Sequence, residues 1–132
     1  AEVSAARPPA GRTAAVVATR TIGAGLDAAT ERRLRQGRIP VDRKLDLHGL
    51  SEAQAHRRLL AALPAAQADG VRLVLIVTGK GSRDGRTGVL RRSLGRWLEE
   101  PGLASLVLSS RPAPPRLGGE GARQVLLRRR RD

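Results

Sequence analysis

The stretch that most constrains this chain is Arg72-Leu73-Val74-Leu75-Ile76-Val77, five consecutive apolar residues behind one arginine. Alternate side chains of a strand face opposite ways, so a strand apolar on both faces must lie at the centre of a sheet covered on both sides. Its neighbours in sequence supply the cover. Ser51 and Gln54 form a capping box, with Leu50 and Ala55 as the flanking staple, and Ala55, Leu59, Ala62 and Leu63 then recur at helical spacing. Pro64 is expected to kink or interrupt that helix, and Asp69-Gly70 to close it. A second helix is expected from about Gly88 to Glu100, with Leu90, Leu94, Trp97 and Leu98 inward and Arg91, Arg92 and Arg96 outward.

Three further segments read as strands. Lys44-Leu45-Asp46-Leu47-His48 alternates polar and apolar residues. Leu103 to Ser109 follows the Pro101-Gly102 break, and Ala122 to Leu127 follows a proline- and glycine-rich turn. The order is β-α-β-α-β-β, an α/β fold: a two-layer sandwich with helices covering a four-stranded mixed sheet. Strand-helix-strand repeats imply parallel neighbours with right-handed crossovers and a final strand returning antiparallel. Residues 1–24 lack any apolar period and read as a flexible basic tail; residues 25–43 form a leader. Its short helix, Leu26 to Gln36, is capped by Asp27, stopped by Gly37 and expected on the surface. The main domain is expected over residues 44–130.

Composition narrows the function classes. The sequence has 132 residues, enough for one core, and Trp97 is its single aromatic residue, so that core is aliphatic. No cysteine occurs, which excludes disulfides and cysteine-bound metal. No apolar run approaches the roughly 18 residues of a membrane span, and residues 1–11 do not read as a signal peptide, so a cytoplasmic location is the expectation. The absence of methionine marks the sequence as trimmed or a fragment. Lys and Arg total 25 against 12 acidic residues, a net charge of +13, with Lys44 and Lys80 the only lysines. Such an excess attracts polyanions, and the planar fork of arginine fits phosphate well; a GC-rich genome would also enrich arginine. Nucleic acid is therefore the expected partner. A membrane surface is not expected, because no basic amphipathic helix carries bulky apolar anchors. Stacking on single strands is disfavoured by the shortage of aromatic residues.

Three segments bear on chemistry. Asp46 and His48 share a strand face, with His48 at the carboxyl end, where open α/β sheets place ligand sites. They fit either a cap on backbone amides or a phosphate or catalytic site. Thr78-Gly79-Lys80-Gly81 ends the central strand; two glycines let backbone approach an anion, and Lys80 adds charge, although a tight turn alone has the same look. Leu117-Gly118-Gly119-Glu120-Gly121-Ala122 enters the last strand as a bulge, a turn or a close backbone contact.

Together and in this order, Leu45-Asp46-Leu47-His48-Gly49, Thr78-Gly79-Lys80-Gly81 and Gly118-Gly119-Glu120-Gly121-Ala122 resemble the three signatures of the Smr (small MutS-related) domain family, stand-alone bacterial type. Leu26-Asp27, Arg35-Gln36-Gly37-Arg38, Ala55-His56, Trp97-Leu98 and Leu126-Leu127-Arg128-Arg129 extend the likeness over roughly residues 25 to 130. The resemblance implies a fold similar to the C-terminal domain of translation initiation factor three. It also implies a nucleic-acid-binding domain with endonuclease, nicking, activity on DNA or structured RNA. The alternatives are a non-catalytic binder of structured nucleic acid and a ribosome-associated module. Asp46 and His48 match the family's candidate catalytic pair and Gly79 to Gly81 its substrate loop; Thr78, Lys80, Arg91, Arg92, Gly118 and Gly119 complete the expected substrate contacts. In such a site His48 would be general base, Lys80 and nearby amides would stabilise the oxyanion, and Asp46 would orient the imidazole or hold a hydrated Mg²⁺. A two-metal site is not expected, because Asp46, Asp84 and Glu120 are the only carboxylates near these loops. The sequence departs from the family pattern at Leu117, where stand-alone members usually carry histidine, and at Arg123-Gln124, where they carry a small or aliphatic residue and tyrosine.

Overall fold

The computed structural model describes residues 26–80 and 85–129; the tail of residues 1–24, Asp84 and Gly81 of the second loop lie outside them. Four strands, β1 (Arg43–Asp46), β2 (Leu73–Val77), β3 (Val107–Pro112) and β4 (Ala122–Leu127), form one sheet in the order β1-β2-β4-β3. β1 and β2 are parallel, with Asp46 opposite Val77. β4 runs antiparallel to β2 on one side and to β3 on the other. The expectation of parallel neighbours thus holds for β1 and β2 and is corrected for β3, which β4 separates from β2. Intercalating β4 gives both central strands two hydrogen-bonded neighbours and leaves the polar, exposed β1 at one edge.

One face carries α2 (Glu52–Ala68) and α3 (Arg86–Trp97). Val74 and Ile76 of β2 meet Leu59 and Leu63 of α2 and Leu90, Leu94 and Trp97 of α3 in the main core. Each fully buried leucine contributes about 1.5–3 kcal/mol. The capping box of α2 is present in both directions: Gln54 N–H donates to the Ser51 hydroxyl, and Ser51 N–H donates to Gln54 Oε1. Pro64 does not interrupt α2, which continues to Ala68. Burial of Leu63 and Ala66 on either side of exposed Pro64 holds the helix where its backbone ladder lacks a donor. The second helix begins at Arg86, two residues before the expected start. Leu103, expected in the third strand, belongs instead to a one-turn helix, α4 (Pro101–Ala104), where it is buried; β3 starts at Val107.

The other face is covered by the leader. α1 (Ala28–Arg35) buries Leu34 against Leu73 and Leu126. Gln124, fully buried on β4, donates its Nε2 to the Leu34 carbonyl at 2.8 Å. The leader helix is mostly exposed, and Leu34, the Gln124 amide and a 3.0 Å ion pair from Arg111 of β3 to Glu31 tie it to the sheet. Leu75 meets Ala113 and Ala122 on the same face. No helix among the described residues is long and apolar enough to cross a membrane.

Candidate nucleic-acid site

Because β1 and β2 run parallel, their chains leave the sheet at the same edge. Leu47 extends the ladder by one bond, its N–H donating to the Val77 carbonyl at 2.7 Å. This brings His48 opposite Gly79: a β-carbon placed on Gly79 would stand 3.7 Å from the His48 Cβ and 3.6 Å from the Thr87 hydroxyl oxygen. Gly79 has φ +96°, a conformation L side chains rarely adopt. The third segment closes in from β4. The Gly121 carbonyl accepts from the amides of Thr78 at 2.9 Å and Gly79 at 3.1 Å. A β-carbon on Gly121 would lie 2.8 Å from the Lys80 Cγ and 2.9 Å from the Gly79 carbonyl carbon, so nothing larger than glycine fits without displacing the Lys80 loop.

At the centre of this edge the Asp46 Oδ1 takes two hydrogen bonds from His48, one from its backbone N–H at 3.0 Å and one with ring Nδ1 at 2.5 Å. The bond from the His48 ring, opposed by slight burial and helped by the backbone bond, holds the Asp46 carboxyl below its ordinary range. An ionised carboxylate can only accept, so Nδ1 carries the hydrogen. In the neutral ring Nε2 then presents a lone pair outward from a side chain that is 67% exposed. Both alternatives for Asp46 are therefore present in one geometry: it caps an amide and orients an imidazole.

Of the expected site residues, Asp46, His48, Thr78, Gly79 and Lys80 gather at this edge. Thr78 is buried, and the Thr78 and Gly79 amides are taken by Gly121, so the expected amide cradle is not formed by those two groups. Arg91 reaches the third segment through an ion pair with Glu120 at 3.1 Å. Arg92 is exposed on α3, its guanidinium close to Gly88 of its own helix. Gly118 (φ +118°) and Gly119 (φ +56°) shape the turn into β4, and their amides bond to the carbonyls of Pro115 and Pro114. Two contributors were named from sequence within longer segments but not as site residues. Gly121 is the glycine of its segment that meets the Lys80 loop, a role signalled only by three glycines within four residues. Arg123, half-buried, lines a cleft of about 200 Å³ with Thr78, Arg91 and Glu120, and its Nε donates to the Ser110 hydroxyl at 2.6 Å. Burial, then the like charge of Arg111, lowers its pKa. No cluster of three or more metal-ligating side chains occurs among the described residues. Asp46 is a single carboxylate with one oxygen committed to His48, and Glu120 is paired to Arg91, so this donor set does not fit a protein-held Mg²⁺.

The chain is similar in sequence and fold to known proteins. The family model described as Smr domain matches residues 45–128. Ribosome rescue factor SmrB of Haemophilus influenzae is 35% identical over 104 residues, 78% of this chain and 57% of that protein. Probable DNA endonuclease SmrA of Escherichia coli K12 is 33% identical over 106 residues, 80% of this chain and 55% of that protein. The chain thus spans little more than half the length of these curated relatives. Among solved structures, YdaL, a stand-alone small MutS-related protein from Escherichia coli, aligns with a TM-score of 0.65 at 34% identity, over 80% of this chain and 79% of that one. The Smr domain of Thermus thermophilus MutS2 aligns with a TM-score of 0.57 at 34% identity, over 65% of this chain and 98% of that one.

Proposed function

This chain belongs to the Smr domain family, and on that premise we propose that it binds nucleic acid at the shared edge of β1 and β2 and nicks its phosphodiester backbone there. The observation that carries the reading is the His48 ring held through Nδ1 by Asp46, on a strand end adjoining the Gly79-Lys80 loop. In this reading Nε2 of His48 takes a proton from the attacking water as its oxygen bonds to phosphorus. The bond from phosphorus to the leaving sugar oxygen breaks, and that oxygen takes the proton back from the imidazolium. Asp46 fixes the tautomer and offsets the charge on the ring, and Lys80 offsets charge on the phosphate. Arg91 and Arg123 extend the positive surface along the neighbouring cleft. Thr78, Gly118, Gly119 and Gly121 shape the loops, and Arg92 adds charge at the periphery. No step is assigned to Mg²⁺. The unit that acts is the domain of residues 44–130 with the leader docked on it, and residues 1–24 add positive charge.

A second reading, a binder acting on the ribosome without cleavage, is favoured by the relatives named ribosome rescue factor. One experiment separates the two. Supercoiled plasmid and structured RNA are incubated, with and without Mg²⁺, with wild type and His48→Ala. Nicking or cleavage by wild type that fails in folded His48→Ala supports the enzyme. Equal cleavage by both removes His48 from the mechanism, and binding without cleavage on every substrate supports the binder.

A further inference from the structure

The opposite pole of the sheet holds a second concentration of arginine. Arg72 immediately precedes β2, and Arg128 and Arg129 immediately follow β4, whose Leu126 pairs with Leu73. All three therefore lie at the end of β2 remote from Lys80, about 20 Å away at the rise of a strand. They line a groove of about 690 Å³ together with Arg33 of α1, and its two acidic residues are Asp27 and Asp42. Four arginines against two aspartates leave an excess of two positive charges. Both aspartates are engaged with backbone: Asp27 accepts from the Thr30 amide at 2.7 Å, and Asp42 from those of Arg72 and Leu73 at 2.9 and 3.2 Å. A second groove of about 400 Å³, at the end of α2, shares the same three arginines. Burial, and then the like charge of Arg129, holds the Arg72 guanidinium below its usual range. Like charges gathered this way are stabilised by an anionic ligand.

We propose that this arginine-lined groove is a second phosphate-contacting surface, which grips the phosphodiester backbone of the same nucleic acid away from the His48 edge. The proposal rests on the nucleic-acid reading above and adds a site to it. Charge disfavours the other occupants at hand. Residues 1–25 carry Arg7, Arg12 and Arg20 against Glu2 alone, and a second copy would bring a further +13. A backbone bearing one charge per nucleotide matches a groove longer than one phosphate and lined by planar guanidinium forks.

The test is Arg33→Ala/Arg129→Ala, since both side chains are exposed, with Arg33→Lys/Arg129→Lys as the charge-preserving companion. Arg72 is left intact because its guanidinium donates to the Leu127 carbonyl. Affinity for a 30-base-pair duplex is measured by fluorescence anisotropy across a salt series. Loss of two contacts lowers the slope of log affinity against log salt by about 1.8, and the lysine pair restores it. An unchanged slope in the alanine pair overturns the proposal. So does equal loss in the alanine and lysine pairs, which marks a structural effect. Absence of any nucleic-acid binding by wild type defeats the functional reading itself, a result distinct from either.

Discussion

His48 and Lys80 sit on adjoining strand ends yet do different work, and their substitutions should separate accordingly. His48→Ala is expected to leave duplex affinity near wild type while lowering the cleavage rate about 10² or more, as loss of a general base does. Lys80→Ala is expected to weaken binding and cleavage together, because a phosphate contact exists before and during reaction; single-turnover rates at saturating enzyme, set beside anisotropy, distinguish the two patterns. Gly121→Ala tests how these residues are held. Its new methyl would meet the Lys80 side chain and the Gly79 backbone at under 3.0 Å, so a loss of about 1–3 kcal/mol in urea unfolding is expected, together with impaired cleavage. Asp46, His48 and Lys80 were legible in the sequence because strand alternation and strand ends place side chains by rule. Gly121 was legible only as one of three glycines that allow a close backbone contact; the partner, a loop some 40 residues earlier, was not, because no local pattern spans that distance. The occupied amides of Thr78 and Gly79 were hidden for the same reason.

At the scale of elements, local apolar patterning found β1 by alternation, α2 and α3 by helical spacing, and β2 by an unbroken run that the structure buries on both faces. It could not see strand order, which is decided by pairing between distant segments, nor α4, which lies between helix and strand and buries only Leu103. Pro64 shows packing overriding propensity. Its substitution Pro64→Ala, at an exposed mid-helix site, is expected to raise stability by about 1–3 kcal/mol, read as a higher urea midpoint at unchanged slope. The leader illustrates the converse, since Leu34 is the one fully buried side chain of α1. Leu34→Ala should lower stability by about 2–5 kcal/mol. It should also speed amide exchange in α1 and along β4 opposite it, while the α2 and α3 face keeps its protection; unchanged exchange in α1 would show that Leu34 is not what holds it.

For the molecule as a whole, a net charge of +13 on a chain with one aromatic residue points to binding governed by phosphate neutralisation rather than by base stacking. Affinity should fall steeply with salt, by roughly 0.9 log units per log unit of salt for each duplex contact, and should vary little with base sequence; an affinity flat from low to moderate salt would contradict it. The position of β4 between β2 and β3 has a further consequence, for how the molecule is made. During synthesis β1, α2, β2, α3 and β3 all emerge before the strand that joins them. Until residues 122–127 leave the ribosome, β2 has an unpaired side and β3 no neighbour at all. The nascent chain must carry the backbone N–H and C=O groups along that side of β2 unpaired until residues 122–127 have been translated. Sheet closure therefore waits for the last strand of the domain, and a polypeptide arrested before Gln124 is expected to remain protease-sensitive throughout.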